Sequence, residues 1–304
     1  MSVAKEWEGR SALRWILTQW CNYACWYCRQ SHSRSQTFKG SPGHWADNAT
    51  VEAWCAALDK HFSDARLSVF FEGGETMLDR KAVGSLLTHL HGSAYFDAAR
   101  FDTNLSNKLY TWEVPRDKVV LVASLHPSEI AEDAFFAELN KTVASGWRVA
   151  LVNLVVTPDR VSMLRKVFER AVAAGARLHA IPAFSYLEQF SREQIAELRK
   201  YISEVDWPRK TGESTLGKSC LFPSVAWEMY PDGSLHVGCH EGLVGSIFDD
   251  ELPVRFSGRS PCPWPECCCE DKYHFLEEMD NRSGGERMPT DSMAKRVPLE
   301  VLHG

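Results

Sequence analysis

The sequence predicts an α/β chain, a parallel sheet with helices outside it, followed by a small cysteine-rich unit containing a β-hairpin. Three observations predict it. Short apolar runs of strand length alternate with amphipathic stretches of helical length through six units. A Pro231-Asp232-Gly233 turn stands between two alternating segments late in the chain, the pattern of a hairpin. Six of the ten cysteines fall from Cys220 onward, in a stretch with little periodicity of its own.

The first strand is expected over residues 13–17, the apolar run before Cys21. Residues 51–61 have helical spacing, and Asn48 ahead of them reads as the N-cap. A buried-strand run over 67–71 breaks at Gly73-Gly74 beside Glu75, and a helix is expected over 80–91. Strands over 100–103 and 119–124 follow, then a helix over 131–144. The alternation continues with a strand over 148–156, a helix over 162–174, a strand over 177–181 and a helix over 191–205. Residues 1–210 are read as the core domain, 211–280 as the cysteine-rich domain, and 281–304 as a flexible or docked tail rich in glycine, serine and charge.

With 304 residues, 44% of them hydrophobic, the chain is long enough to bury a large core. No apolar run approaches the length of a membrane span, and residues 1–10 have neither the basic start nor the apolar stretch of a signal peptide. A cytoplasmic protein is expected. In a reducing compartment the ten cysteines are poor candidates for structural disulfides, and their tight grouping suits metal better. The net charge of −6 gives no basic footprint for phosphate backbones, so nucleic acid is an unlikely partner.

The most informative segment is Cys21-Asn22-Tyr23-Ala24-Cys25-Trp26-Tyr27-Cys28, directly after the first strand. Three thiolates at this CxxxCxxC spacing suit three irons of a [4Fe-4S] cube and leave the fourth iron without a protein ligand. A zinc knuckle is the alternative for the triplet taken alone. At the end of the second strand, Glu72-Gly73-Gly74-Glu75 offers glycines that let backbone come close to a ligand, with carbonyls and a carboxylate able to hold an ammonium group. An ordinary strand-to-helix turn would look the same.

Taken together and in this order, CxxxCxxC, the aromatic Tyr27 before the last cysteine, and Gly73-Gly74-Glu75 resemble the radical SAM superfamily. The resemblance implies a partial (β/α)6 TIM-type barrel, open on one side, with cluster and S-adenosylmethionine (SAM) at the carboxyl ends of the strands. It implies Cys21, Cys25 and Cys28 as cluster ligands, and Tyr27, Glu72, Gly73, Gly74 and Glu75 as SAM contacts. Thr103-Asn104 is similar to the Thr-Asn-Gly turn of family members, although Leu105 replaces the glycine. Ser124 and His126 stand where members often hold the ribose or carboxylate of SAM, and a capping serine and a core histidine are the alternatives. Residues 153–156 are a further place for the adenine, or simply a buried strand.

The late cysteines look like a twitch or shortened SPASM domain, which implies one auxiliary [4Fe-4S] cluster. Its expected ligands are Cys220, Cys239, Cys262 and one or more of Cys267 and Cys269, with Cys268 pointing elsewhere. Cys220 and Cys239 are expected near the open ends of the paired hairpin strands. A structural zinc site is the alternative. Cys55, inside a helical pattern, reads as a small buried apolar residue, and a hydrogen donor to a substrate radical is its functional alternative. The implied activity is reductive cleavage of SAM and hydrogen abstraction from an unactivated C–H bond. Electrons would come from a donor such as flavodoxin or ferredoxin. A small-molecule substrate is preferred to a peptide because the first strand lies so near residue 1. A glycyl-radical activase and a non-catalytic iron-sulfur or zinc module are further alternatives, the latter disfavoured by Gly73-Gly74-Glu75.

Overall fold

The computed structural model describes residues 9–28, 43–183, 188–202, 214–237, 245–255, 257–263 and 265. Its first six strands are β1 (Arg10–Thr18), β2 (Arg66–Gly73), β3 (Phe96–Thr103), β4 (Val119–Leu125), β5 (Arg148–Val156) and β6 (Arg177–Pro182). Between them run α1 (Val51–Phe62), α2 (Arg80–Gly92), α3 (Glu132–Ala144) and α4 (Leu164–Ala173), with α5 (Arg192–Leu198) after β6. These six strands pair in chain order, each parallel to the next. Because parallel crossovers are right-handed, a sheet wound in one direction receives its helices on one face. The result is the mostly parallel architecture of a partial (β/α)6 barrel, as expected.

Alternation along each strand divides the two faces. Leu13, Trp15 and Leu17 of β1, Val69 and Phe71 of β2, and Phe101 of β3 join Leu58, Leu86 and Leu87 of the helices in one core. Trp15 is its pivot, packed against Trp45, Trp54 and Phe71 with ring centroids 5.4, 4.9 and 5.5 Å away. The opposite, inner face carries Arg14, Glu72, Arg100, Asp102, Ser124, Asn153 and His179. Arg14 bonds both Glu72 and Glu228, while Arg100 reaches Glu72 and Asp102, each at 3.2 Å. Buried charges survive only when paired, and here five ionised groups compensate one another across four strands.

The hairpin strands β8 (Ala226–Met229) and β9 (Ser234–Val237) extend the same sheet. Strand β8 runs parallel to β1, β9 pairs antiparallel with β8, and β10 (Gly245–Ser246) completes nine strands. The Pro231-Asp232-Gly233 turn forms as expected, with Gly233 at φ +86° and Asp232 Oδ1 accepting from the Ser234 amide at 3.0 Å. Cys220 is not on this hairpin. It lies on β7 (Ser219–Cys220), which precedes the one-turn helix α6 (Phe222–Val225) and pairs antiparallel with β11 (Ser260–Pro261) in a separate two-stranded sheet.

Local differences from expectation have local causes. Thr50, not Asn48, caps α1, its hydroxyl accepting from the Ala53 amide. Asn48 sits too early for that role and instead donates to the carbonyls of His44 and Pro231, both at 2.9 Å. Pro158 starts a 3-10 segment (Pro158–Met163), so the expected helix at 162 begins at Leu164. Helix α5 ends at Leu198, and residues 203–205 of its expected range lie outside the described residues, as does the tail 281–304. Among the described residues no helix is long and apolar enough to cross a membrane.

Candidate functional site

The cysteine loop leaves β1 at Thr18 and is fixed to the end of β2 by backbone alone. The Gly74 amide donates to the Thr18 carbonyl and the Glu75 amide to the Trp20 carbonyl, both at 2.7 Å. A Cβ on Gly73, whose φ is +135°, would fall 2.1 Å from the Thr18 oxygen, and one on Gly74 only 1.9 Å from the Trp20 oxygen. The paired glycines thus let two strand ends touch, and the cysteine loop begins at that junction. Cys25 is buried and Cys21 and Cys28 are partly exposed, with the Cys28 amide closing a turn on the Cys25 carbonyl at 3.0 Å. Burial raises the Cys25 thiol above its ordinary value, partly offset by a hydrogen bond with Tyr27.

Glu75 continues the lock into β3. It is 1% exposed, and its carboxylate accepts from the Thr103 hydroxyl at 2.7 Å, the Asn104 amide at 2.5 Å and the Met77 amide at 3.1 Å. Burial raises its pKa to about 7, against the pull of those donors. The carboxylate therefore ties β2 to β3. Asn104 in turn faces the cysteine loop, its side-chain amide donating to Asn22 Oδ1 at 2.9 Å and lying 3.9 Å from the Cys21 sulfur. Leu105 takes φ +60°, the conformation a glycine would adopt freely, while its side chain is 2% exposed in the core. Packing holds the turn that the side chain disfavours.

A second group forms on the other side of the loop. The Tyr27 hydroxyl and His126 Nδ1 are 2.9 Å apart, Tyr23 meets the His126 ring edge-on at 5.9 Å, and the Arg160 guanidinium lies 5.4 Å over the Tyr27 ring. Burial lowers the His126 pKa to about 4, so its ring is neutral at pH 7, and burial raises Tyr23 to about 12 and Tyr27 further.

The structure thus gathers Cys21, Gly73, Gly74, Glu75, Thr103 and Asn104 in one cluster and Tyr27 with His126 in another, joined by the cysteine loop. Glu72 points elsewhere, into the paired ions of the inner face. Ser124 lies on the inner face, accepting from Asn153 Nδ2 at 3.5 Å. Cys220 and Cys262 are both buried in the β7/β11 unit, where the Cys262 amide bonds the Lys218 carbonyl at 2.8 Å. Cys239, Cys267, Cys268 and Cys269 lie outside the described residues. Cys55 is buried in α1. Sequence reasoning missed Asn22, which was legible inside the CxxxCxxC loop, and Arg160, which carries no motif.

Three thiols on one loop form a soft donor set that fits an iron-sulfur cube. Among the described residues no three His, Cys, Asp or Glu side chains are grouped around the position of a single metal ion. A cube offers each thiolate its own iron, so its ligands stand wider apart than those of one ion.

No family model matches the chain, and no curated protein matches it. Among solved structures, native anSMEcpe with bound AdoMet is 13% identical, with 89% of this chain and 82% of that chain covered and a TM-score of 0.55. SuiB of Streptococcus suis is also 13% identical, with 79% of this chain covered and a TM-score of 0.52; this chain spans 63% of the length of SuiB. These likenesses establish the fold.

Proposed function

We propose that this chain is a radical SAM enzyme, acting on a small-molecule substrate by hydrogen abstraction from an unactivated C–H bond, with oxidation or bond formation as the outcome. The observation that carries the reading is the meeting of the Cys21/Cys25/Cys28 loop with Gly73-Gly74-Glu75 and Thr103-Asn104 at the carboxyl ends of three adjacent parallel strands. Chemistry in barrels collects at that end. The fold shared with AdoMet-bearing anSMEcpe supports the same reading.

Cys21, Cys25 and Cys28 would hold a [4Fe-4S] cluster, which when bound supplies the electron that cleaves SAM and so generates the radical that takes hydrogen from substrate. The chain's own part is placement. Backbone bonds between β1 and β2 hold the cysteine loop still, Glu75 fixes the β3 turn, and Asn104 aims an amide at the loop. The neutral His126 and its Tyr27 partner present hydrogen-bonding groups without charge. Exclusion of stray hydrogen donors and alignment of the reacting C–H are what such fixed surroundings contribute. Cys220, Cys239 and Cys262 with one or more of Cys267 and Cys269 would hold one auxiliary [4Fe-4S] cluster, and a donor such as flavodoxin or ferredoxin would deliver electrons.

Anaerobic reconstitution is expected to yield about eight irons per chain, from soft thiolate ligation of two cubes. Reduced protein with SAM is expected to release 5′-deoxyadenosine, and Cys25→Ala to abolish it. SAM cleavage by that variant would refute the ligand set, and four irons with one zinc would replace the auxiliary cluster by a structural ion.

A further inference from the structure

Beside the cysteine loop, the rim of the barrel at the ends of β1, β2 and β3 carries exposed apolar side chains among cations. Trp20, the residue before Cys21, is 53% exposed, and Leu78 is 38% exposed. Trp20 is nevertheless held. Its indole stacks on the buried His44 ring, with centroids 5.2 Å apart and planes 15° from parallel. A Cβ on Gly43 would fall 2.4 Å from the indole nitrogen, so glycine there gives the ring its room. His44 Nε2 in turn lies 3.4 Å from Asp79 Oδ2, and Asp79 caps α2 by accepting from the Ala82 amide at 2.9 Å. Trp20, Leu78 and the start of α2 thus belong to one surface.

Cations gather on this surface. Arg80 and Lys81 open α2, and Lys108 follows Asn107, whose side-chain amide donates to the Met77 and Leu78 carbonyls. All three cations are exposed. Arg80 bonds only the uncharged Thr111 hydroxyl and carbonyl, and Lys81 and Lys108 have no acidic partner among the described residues. The sequence joining Cys28 to Gly43 has Arg29, Arg34 and Lys39 and no acid, in a chain whose net charge is −6. From Arg80 and Lys81 a groove of about 700 Å³ continues along α2 to Thr88 and His89, opposite Glu113 and Val114. Glu113 is the only acid among the groove's lining residues. A fixed aromatic anchor beside apolar surface, within a polar and charged rim, is the composition of a protein interface.

Resting on the SAM-dependent reading above, we propose that Trp20 and Leu78, with Arg80, Lys81 and Lys108 around them, are the docking surface for the electron donor, a flavodoxin-type protein that is acidic around an exposed flavin. Two features choose this occupant. A chain of net charge −6 repels an acidic partner except where its own cations gather, so a local basic rim steers that partner to one place. An indole stacked on His44 and more than half exposed offers a flat ring to a flat flavin, in offset or edge-on contact. Trp20 is one peptide unit from Cys21, about 3.8 Å between Cα atoms, so the flavin is seated against the cysteine loop. One electron passes. The anionic flavin hydroquinone becomes its neutral radical, the cluster held by Cys21, Cys25 and Cys28 takes the electron, and no proton moves and no bond forms or breaks.

The test uses the full-length, anaerobically reconstituted protein with two reductants, flavodoxin hydroquinone and photoreduced 5-deazariboflavin, a small molecule that needs no docking. Stopped-flow absorbance is expected to show cluster reduction by flavodoxin that slows as ionic strength rises from about 0.01 to 1 M. The Lys81→Glu/Lys108→Glu double variant is expected to cut that rate about tenfold or more and to leave reduction by deazariboflavin unchanged. Trp20→Ala is expected to weaken flavodoxin binding about tenfold or more with iron content retained, and Trp20→Phe, which keeps a ring, to recover most of the loss. Equal loss with both reductants, a rate indifferent to salt or to the lysine variant, or reduction of the wild-type chain by ferredoxin and not by flavodoxin would overturn the proposal. So would a dimer of this chain that Trp20→Ala dissociates while flavodoxin still reduces it, since a second copy would then occupy the surface. Cluster reduction by flavodoxin without any 5′-deoxyadenosine would instead overturn the SAM-dependent reading and leave the docking surface standing.

Discussion

Gly74→Ala tests whether contact between two strand ends positions the cysteine loop. The added Cβ would sit 1.9 Å from the Trp20 oxygen and 2.4 Å from its carbonyl carbon, where contacts under 3.0 Å essentially never occur, so the two backbones must part by about 1 Å. Both obstacles are main chain and neither can rotate away. Parting them breaks the Glu75 amide to Trp20 bond and strains the Gly74 amide to Thr18 bond, each 2.7 Å now. At about 0.5–1.5 kcal/mol net per hydrogen bond, the loss is about 1–3 kcal/mol. That corresponds to a fall in melting temperature of roughly 2–4 °C per kcal/mol in a protein of this size. Function is expected to suffer more, since a misplacement of about 1 Å at a reacting centre costs on the order of 100-fold in rate. The assay pairs iron content and 5′-deoxyadenosine formation with thermal melting. Gly92→Ala is the control, because a Cβ there meets nothing within 4 Å; it is expected to leave both readings unchanged or to stabilise slightly. Unaltered melting and product formation in Gly74→Ala would refute the junction as the element that holds the loop.

Three further predictions follow from neighbouring residues. Thr103→Val removes the hydroxyl that bonds Glu75 and accepts from the Leu105 amide at 3.1 Å, and leaving those buried groups short of a partner is expected to cost about 1–3 kcal/mol in denaturant unfolding; a change under about 0.5 kcal/mol would contradict the lock. Leu105→Gly relieves a left-handed conformation worth about 1–2 kcal/mol but empties a buried leucine site worth about 2–5 kcal/mol. Net destabilisation is therefore expected, and a stabilised variant would show that packing does not hold this turn. His126, lowered from 6.5 to about 4, stays neutral in the fold while the unfolded chain takes up a proton, so its stabilising effect is complete above pH 6.5 and fades as pH falls toward 4. Between pH 7 and 5 this group accounts for about 2 kcal/mol of lost stability, and His126→Gln is expected to flatten that acid limb in urea titrations at the two pH values; an unchanged slope would mean that the ring is not desolvated.

Much of the barrel was legible because most of its strands are largely apolar runs, and the six expected strands all occur. Boundaries were harder to read. Asn48 and Thr50 are both good caps, and only the docking of the hairpin turn at Pro231 assigns them different work. The addition of β8 to β1 was invisible, since four residues of Ala-Trp-Glu-Met carry no sign of which edge they will join. At the site, spacing marked the three thiols and the glycines, while the contacts these residues make within the chain could not be read in advance. The glycines admit neighbouring backbone at Thr18 and Trp20, and the Glu75 carboxylate is engaged by Thr103, Asn104 and Met77. Arg160 and the Asn153–His179 pair could not be read in advance, because register across strands exists only after folding.

Strand β8 lies against β1 although 214 residues separate Arg14 from Glu228. A nascent chain therefore emerges with one open flank beside the very loop that carries the first three cysteines, and that flank is a template for intermolecular pairing until residues 226–229 have been made. Arg14 meanwhile lacks its second counter-ion. Closing so distant a contact is slow, which makes ribosome pausing, temperature during expression and truncation after the barrel the variables that decide whether this protein is recovered soluble or as aggregate.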